Sequence, residues 1–394
     1  MTPPHPAQHH AVPPWRDERV LGIATQLAVV LGVALLVAFL ARNLLGAMSE
    51  RGMTLGLGFL DATAGFEISE TPFDYRPTDS YGRAFQAGLL NTIFVSVAGI
   101  VLATLLGLFV GVARLSSNWL VRQIAGVYVE VMRNTPLLVQ LFLLYFAVLL
   151  QLPAVSEAIA LPGSVYLSQR GLFLPAPTPS PTLPTWLALV ALAVVVALVA
   201  RSVARRREAL GRPVPRLRTV AVLVGLAIVG VGWLALERRP ILLDLPVPQR
   251  FNFTGGMALS PEFSALLVGL VLYTAAFIGE IVRGGILAVR RGQLEAARAL
   301  GLSEGQTLRL VVLPQALRVI VPPMTSQYLN LAKNSSLAIA IGYPDLFNVS
   351  ATIASQTGQP VSVIALVMGT YLAISLVTSA LLNAYNRRVQ VMER

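Results

Sequence analysis

Apolar residues run through this chain in blocks of about 20, the length an α-helix needs to cross a roughly 30 Å hydrocarbon core. Such blocks lie near 20–41, 84–113, 127–150, 184–200, 219–236, 263–289, 321–342 and 361–385. The pattern therefore predicts about eight transmembrane helices in an all-α, polytopic membrane fold. The blocks near 184–200 and 219–236 are Val, Ala and Leu with hardly a polar residue, so lipid-facing scaffold is their expected role. Those near 127–150, 263–289 and 321–342 carry Glu130, Arg133, Gln140, Tyr273, Glu280, Arg283, Gln327, Asn330, Lys333 and Asn334. Polar groups in lipid are costly and usually face a protein interior or a pathway.

The connections sort by charge. Lys333 is the single lysine, so arginine carries the topology signal. With the N-terminus inside, nineteen arginines fall on the cytoplasmic side and eight on the other, which predicts both termini in the cytoplasm. The formal net charge of +11 is then mostly this bias and calls for no nucleic acid. Residues 1–19 read as a cytoplasmic tail, and the first apolar block is too long for a cleaved signal peptide, so it is expected to persist as an anchor. PAPTPSPTLP, 175–184, cannot continue a helix and predicts an extended outer connection.

Composition narrows the chemistry. Hydrophobic residues make up 55% and charged residues 12%, with a mean hydropathy of +0.69. Cysteine is absent, and the three histidines, His5, His9 and His10, lie in the Pro-rich tail. Disulfides and thiolate metal sites are excluded, a histidine-based catalytic centre is not expected, and no carboxylate cluster has metal-ligand spacing. The expectation is a non-enzyme with no catalytic residue, no metal and no cofactor of its own.

One charged segment interrupts the apolar pattern: EAARALGLSEGQTLRLVVLP, 295–314. Glu295 to Leu300 is good helix material, Gly301 suits the left-handed residue after a helix end, and Ser303 with Gln306 makes a capping box. A short helix, a tight turn and a second helix follow, on the cytoplasmic side, with Pro314 marking a break or bend. Two roles remain open on these grounds, an amphipathic loop at the lipid interface or a dock for another protein. A nucleotide-binding P-loop needs Gly-Lys followed by Ser or Thr, but Lys333 follows Ala332. Any ATP-driven transport would draw its energy from another polypeptide.

The segment resembles the cytoplasmic signature of the permease subunits of ATP-binding-cassette (ABC) importers. Glu295, Ala296, Ala297, Gly301, Leu313 and Pro314 match it, with Val311 standing at an isoleucine position. The resemblance implies a type I ABC importer transmembrane fold and a coupling helix that docks on a separate ATPase. VYVEVMRNTPLLVQLFLLYF, YTAAFIGEIVRGGILAV and LAKNSSLA are similar to polar amino-acid importer permeases, and the enlarged layout resembles the general L-amino-acid permeases. On that resemblance the permease core comprises 84–150 and 263–394, with the coupling segment at 290–320. The additions are 20–83, an extra helix and periplasmic loop, and 151–262, a Pro-rich loop plus a two-helix hairpin.

What the resemblance implies beyond the fold is import from periplasm to cytoplasm across a bacterial inner membrane. The implied partners are a second, related permease chain, two cytoplasmic ATPase subunits that bind ATP and Mg, and a periplasmic amino-acid-binding protein. An amino-acid zwitterion needs an acceptor for its ammonium and donors for its carboxylate. Tyr273 and Glu280 share one helix face, and Gln327, Asn330, Lys333 and Asn334 form a second stripe, so both are pathway candidates. Glu280 could instead pair with Arg283, Glu130 with Arg133, and Lys333 could snorkel. Arg133, Thr135, Pro136 and Gln140 are candidates for gating or helix packing. The rival readings are an opine or peptide importer, and a proton-coupled secondary transporter using Glu280 or Glu130.

Overall fold

The computed structural model describes residues 18–50, 56–211, 215–236 and 239–389. Twelve α-helices occur among them. They are α1 (Glu18–Glu50), α2 (Tyr81–Ala113), α3 (Trp119–Asn134), α4 (Leu137–Phe142), α5 (Leu183–Ala209), α6 (Pro215–Ala235), α7 (Pro261–Leu287), α8 (Arg291–Ala299), α9 (Glu304–Thr307), α10 (Leu313–Asn334), α11 (Leu346–Thr357) and α12 (Pro360–Val389). Six helical stretches are long and apolar enough to cross a membrane, or seven if a bent pair counts as one span, and the shorter apolar helix over Thr219–Ala235 adds a further candidate. Each predicted apolar block overlaps one of these, overrunning its C-terminal end by two residues at most.

The core is built around α2 and α7, which run side by side in the same direction, Phe94 stacking on Phe263 and, further along both helices, Gly111 meeting Val282. Small residues make this possible. Gly107 and Gly111 stand one turn apart on α2, and a Cβ at Gly107 would lie 2.5 Å from Ile278 Cγ2. A Cβ at Gly111 would lie 2.8 Å from the Gly279 carbonyl oxygen. Without a hydrophobic driving force between helices in lipid, such close approach is what holds them. Leu266, Leu270, Ile278 and Leu331 fill the centre, fully buried between α2, α7 and α10. The reverse pattern holds for α1, whose hydrophobic residues from Leu21 to Leu45 are exposed, as a helix surrounded by lipid requires.

The block read from sequence as one span near 127–150 is two helices. They meet at an angle of 106°, with Thr135 at ψ 130° and Pro136 opening α4. A proline drives the residue before it out of the helical region, so the break falls where Thr135 precedes Pro136.

The Pro-rich connection is ordered by pairing. Short antiparallel strands β1 (Ile159–Leu161), β2 (Val165–Ser168), β3 (Gly171–Leu174), β4 (Ala176–Pro179), β5 (Ile241–Asp244), β6 (Val247–Pro248), β7 (Phe253–Thr254) and β8 (Met257–Leu259) form a four-stranded sheet, β1-β2-β3-β8, and two ribbons, β4-β5 and β6-β7. The Phe173 and Phe253 rings stack at 4.1 Å beneath it. This platform leads into α7, so it lies at the end of the core where α2 and α7 begin.

At that same end the loop 56–80 is pinned to the core. Asn91 Nδ2 donates to the Glu70 carbonyl at 2.8 Å and to the Pro344 carbonyl at 2.9 Å, while Ser260 Oγ donates to Glu70 Oε2 at 2.7 Å. Burial pushes the Glu70 carboxyl up, the Ser260 hydrogen bond opposes this, and the charge of Glu262 adds to it. Asp345, fully buried, caps α11 by accepting the Asn348 N–H at 2.9 Å. Burial pushes its carboxyl up to about 6, against the hydrogen bonds it accepts from backbone N–H groups and the Tyr371 hydroxyl.

Candidate functional site

The charged segment lies at the opposite end, where α7 finishes and α10 begins. α8 ends in a Schellman turn: Gly301 takes φ +75°, its N–H donates to the Arg298 carbonyl at 2.9 Å, and the Leu302 N–H donates to the Ala297 carbonyl at 3.2 Å. Ser303 then caps α9. Its Oγ accepts the Gln306 N–H at 3.4 Å and Gln306 Oε1 accepts the Ser303 N–H at 2.9 Å, the reciprocal box. The predicted helix-turn-helix is present with its predicted caps.

Pro314 produces no break in the chain's course. A five-residue π-turn, Leu308–Val312, leads from α9 into α10 without interrupting the helical run, and this wider turn falls where Pro314 offers no N–H to the preceding carbonyls.

Ala297 is buried while Glu295, Ala296 and Arg298 are exposed, so α8 turns one small residue inward and presents the others as a low knob. A 360 Å³ cleft separates it from the core, lined by Ile286, Leu294, Leu302, Thr307, Leu308 and Val312. Gly301 is exposed with open space around it. Leu313 and Pro314 are exposed as well.

Glu280, on α7, is enclosed by cations. It accepts from Arg283 Nη2 at 2.6 Å and is hydrogen-bonded to Arg114, the residue that ends α2. Arg133 approaches from α3, its guanidinium 5.2 Å from the centre of the Phe277 ring. The Glu280–Arg283 pairing weighed from sequence therefore exists. That of Glu130 with Arg133 is not among the ion pairs of the described residues. Arg114 is the Glu280 partner that the sequence pattern does not announce, although it directly follows an apolar block.

Tyr273 packs against Phe277, ring centres 5.0 Å apart. Gln327 is half-buried, Asn330 and Lys333 are exposed and Asn334 is half-buried, all along α10. Among the described residues no hydrogen bond joins this stripe to Tyr273 or Glu280. Lys333 lies in the last turn of α10, followed by a 3-10 turn over Ser335–Ile341, and two residues from Leu331, which packs against Gly99 near the middle of α2. Arg133, Thr135, Pro136 and Gln140 come together as one elbow. Gln140 Nε2 donates to the Met132 and Thr135 carbonyls, both at 3.0 Å, and satisfies the carbonyls that end α3.

Comparison with known proteins assigns the architecture. The family described as "Binding-protein-dependent transport system inner membrane component" matches residues 103–391, taking in the last third of α2, the elbow, α7 and the charged segment. The chain belongs to this family. It is a multi-pass membrane component of a transport system, and its relatives are permease subunits. It is 45% identical over 94% of its length to the putative amino-acid ABC transporter permease protein YhdX of Escherichia coli, covering 94% of that protein. It is 43% identical over 93% of its length to the general L-amino acid transport system permease protein AapQ of Rhizobium johnstonii, covering 92%. The glutamate/glutamine/aspartate/asparagine transport system permease protein BztB of Rhodobacter capsulatus is 41% identical over 96% of both chains. One solved structure, an amino acid ABC transporter with histidines, aligns at a TM-score of 0.47 and 22% identity, over 78% of this chain and 95% of that one.

Proposed function

We propose that this chain is one permease half of an ATP-driven importer carrying L-amino acids from periplasm to cytoplasm across a bacterial inner membrane. Both termini face the cytoplasm, and the β platform and the loop 56–80 face the periplasm, where the amino-acid-binding protein delivers substrate. α8 seats on a cytoplasmic ATPase that binds ATP and Mg, and a second, related permease chain completes the pathway. The observation that carries this reading is the capped α8–Gly301–α9 unit, an exposed knob bearing Glu295 and Ala296 inserted between the two core helices α7 and α10. A displacement of α8 moves the end of α7 against the start of α10, and so moves the Tyr273 and Glu280 face against the Gln327, Asn330, Lys333 and Asn334 stripe.

The exposure of Asn330 and Lys333 supports placing that stripe on a pathway or at the partner permease. An unpaired ammonium and amide against lipid would be expensive. The proton-relay alternative draws less support, because the Glu280 carboxylate is already held between Arg114 and Arg283. The opine or peptide alternative has none in the names of the three long relatives, all of which refer to amino acids.

The test is uptake in vesicles containing the chain with its ATPase, partner permease and binding protein. Amino-acid uptake should require ATP, and Gly301→Val, which forces a β-branched residue to φ +75°, should uncouple hydrolysis or release the ATPase. Lys333→Met should lower uptake with assembly intact. Uptake driven by a proton gradient without ATP, or unaltered coupling in Gly301→Val, would sink the proposal.

A further inference from the structure

The hairpin of α5 and α6 packs on itself and hardly on the rest of the chain. Ala193 and Gly225 meet at its centre, and Trp186 crosses Trp233 edge-to-face at 5.4 Å near its platform end, Nε1 donating to the Val229 carbonyl at 3.2 Å. Around this seam the helices expose Leu192, Val194, Leu198, Val222, Leu223 and Leu226. Lipid must cover them if the hairpin crosses the membrane.

One side of the hairpin is a built groove rather than a smooth wall. A 450 Å³ cleft runs along the seam, lined by Val195, Val199, Val203, Leu217, Val220 and Val224 among others. That is within the ~300–1,000 Å³ usual for ligand clefts. Its lining is in register on both helices. Val195, Val199 and Val203 are spaced by four on α5, and the next residue of that row is Arg207, beside Arg206. Val220 and Val224 are spaced by four on α6, and the preceding residue of that row is Arg216. Residues four apart share a helix face, so the apolar groove opens at one end onto three arginines, all exposed.

We propose that this groove is a binding site for an anionic phospholipid. One acyl chain lies along Val195, Val199, Val203, Val220 and Val224, and the phosphate is held by Arg206, Arg207 and Arg216. Guanidinium groups take a phosphate bidentately. The stretch 201–218 holds seven arginines against the single acid Glu208, so a headgroup carrying an added ammonium is repelled where a phosphatidylglycerol headgroup is attracted. The lipid charge preference holds on either side of the membrane, so it stands apart from the topology and from the transport reading above; only the membrane crossing of the hairpin is required.

The test uses the purified full-length chain, incubated with a defined mixture of phosphatidylglycerol and phosphatidylcholine, with retained lipid counted by native mass spectrometry. Phosphatidylglycerol should be retained in several-fold excess. That excess should disappear in R206Q/R207Q/R216Q, and retention should fall in Val199→Trp, which fills the groove and leaves the arginines in place. Size-exclusion profiles establish that each variant is folded, and if the triple variant does not purify, Val199→Trp decides alone. Equal retention of the two lipids, or an excess that survives the groove variant, overturns the proposal. So does a triple variant that keeps its phosphatidylglycerol excess, which would take the arginine tip out of the site.

Discussion

At the scale of single residues, Asp345 places a carboxyl where water cannot reach it. Its folded pKa of about 6 stands above the ordinary 3.8, so between those values the folded chain binds the proton more tightly than the unfolded one. The stability gained this way is full at the low end of that window and is lost as pH rises through about 6. The melting temperature of the purified chain should therefore climb as pH falls from about 7 to about 5. Asp345→Asn keeps a capping acceptor without the buried charge, and should stabilise the chain at neutral pH by up to about 3 kcal/mol. Its pH slope should be flatter, with a remainder from Glu70, which is shifted the same way; an unchanged slope would remove the burial argument. Residues governed by near neighbours were legible: Gly301, Ser303 and Gln306 are read from a few adjoining positions. Asp345 was not, because its neighbours are distant in the chain: a Cβ at Gly88 would lie 3.0 Å from its carbonyl oxygen, Thr92 Oγ1 accepts the Leu346 N–H at 2.9 Å, and the Tyr371 hydroxyl donates to its Oδ2 at 3.4 Å.

At the scale of elements, the contact between α2 and α7 depends on side chains that are missing. Gly111→Val introduces branched carbon into a space already closed by the Gly279 carbonyl and Val282. It should destabilise the chain by roughly 1–3 kcal/mol or more as the helices are forced apart. Thermal unfolding in detergent would measure this, with Gly126→Ala, on a face with open space, as the neutral comparison. Helix existence and approximate length followed from apolar blocks. Which face packs did not, since an apolar surface suits lipid and protein alike, and the usable signal was the four-residue spacing of Gly107 and Gly111. The apolar pattern runs through Pro136 as one block near 127–150 and does not mark the break. The proline does open a helix, but α3 ends at the residue it constrains, and Gln140 makes the corner by satisfying the carbonyls that end α3.

At the scale of the whole molecule, the chain is a packed core with an arm. Ser180 and Pro240, which flank the hairpin, are joined by an N–H to carbonyl hydrogen bond of 3.0 Å, and β4 pairs with β5 immediately beyond. Replacing residues 181–239 by a short turn should therefore leave the core folded and, under the proposed function, able to bind its ATPase, which size-exclusion chromatography and co-purification would check. Aggregation of the shortened chain would mean that the arm supports the core. The sequence by itself determined the rough limits of the apolar blocks, the basic ends and the caps of the charged segment 295–314, because hydrophobicity, charge and capping act over a few residues at a time. Only the tertiary structure decided that Glu280 lies between Arg114 and Arg283, that the Pro-rich connection pairs into a β platform, and that Glu70, Asn91, Ser260 and Pro344 converge. Apart from the Glu280–Arg283 pair, those contacts join residues far apart in the chain, and the close approach of α2 to α7 at Gly107 and Gly111 brings Arg114 to Glu280.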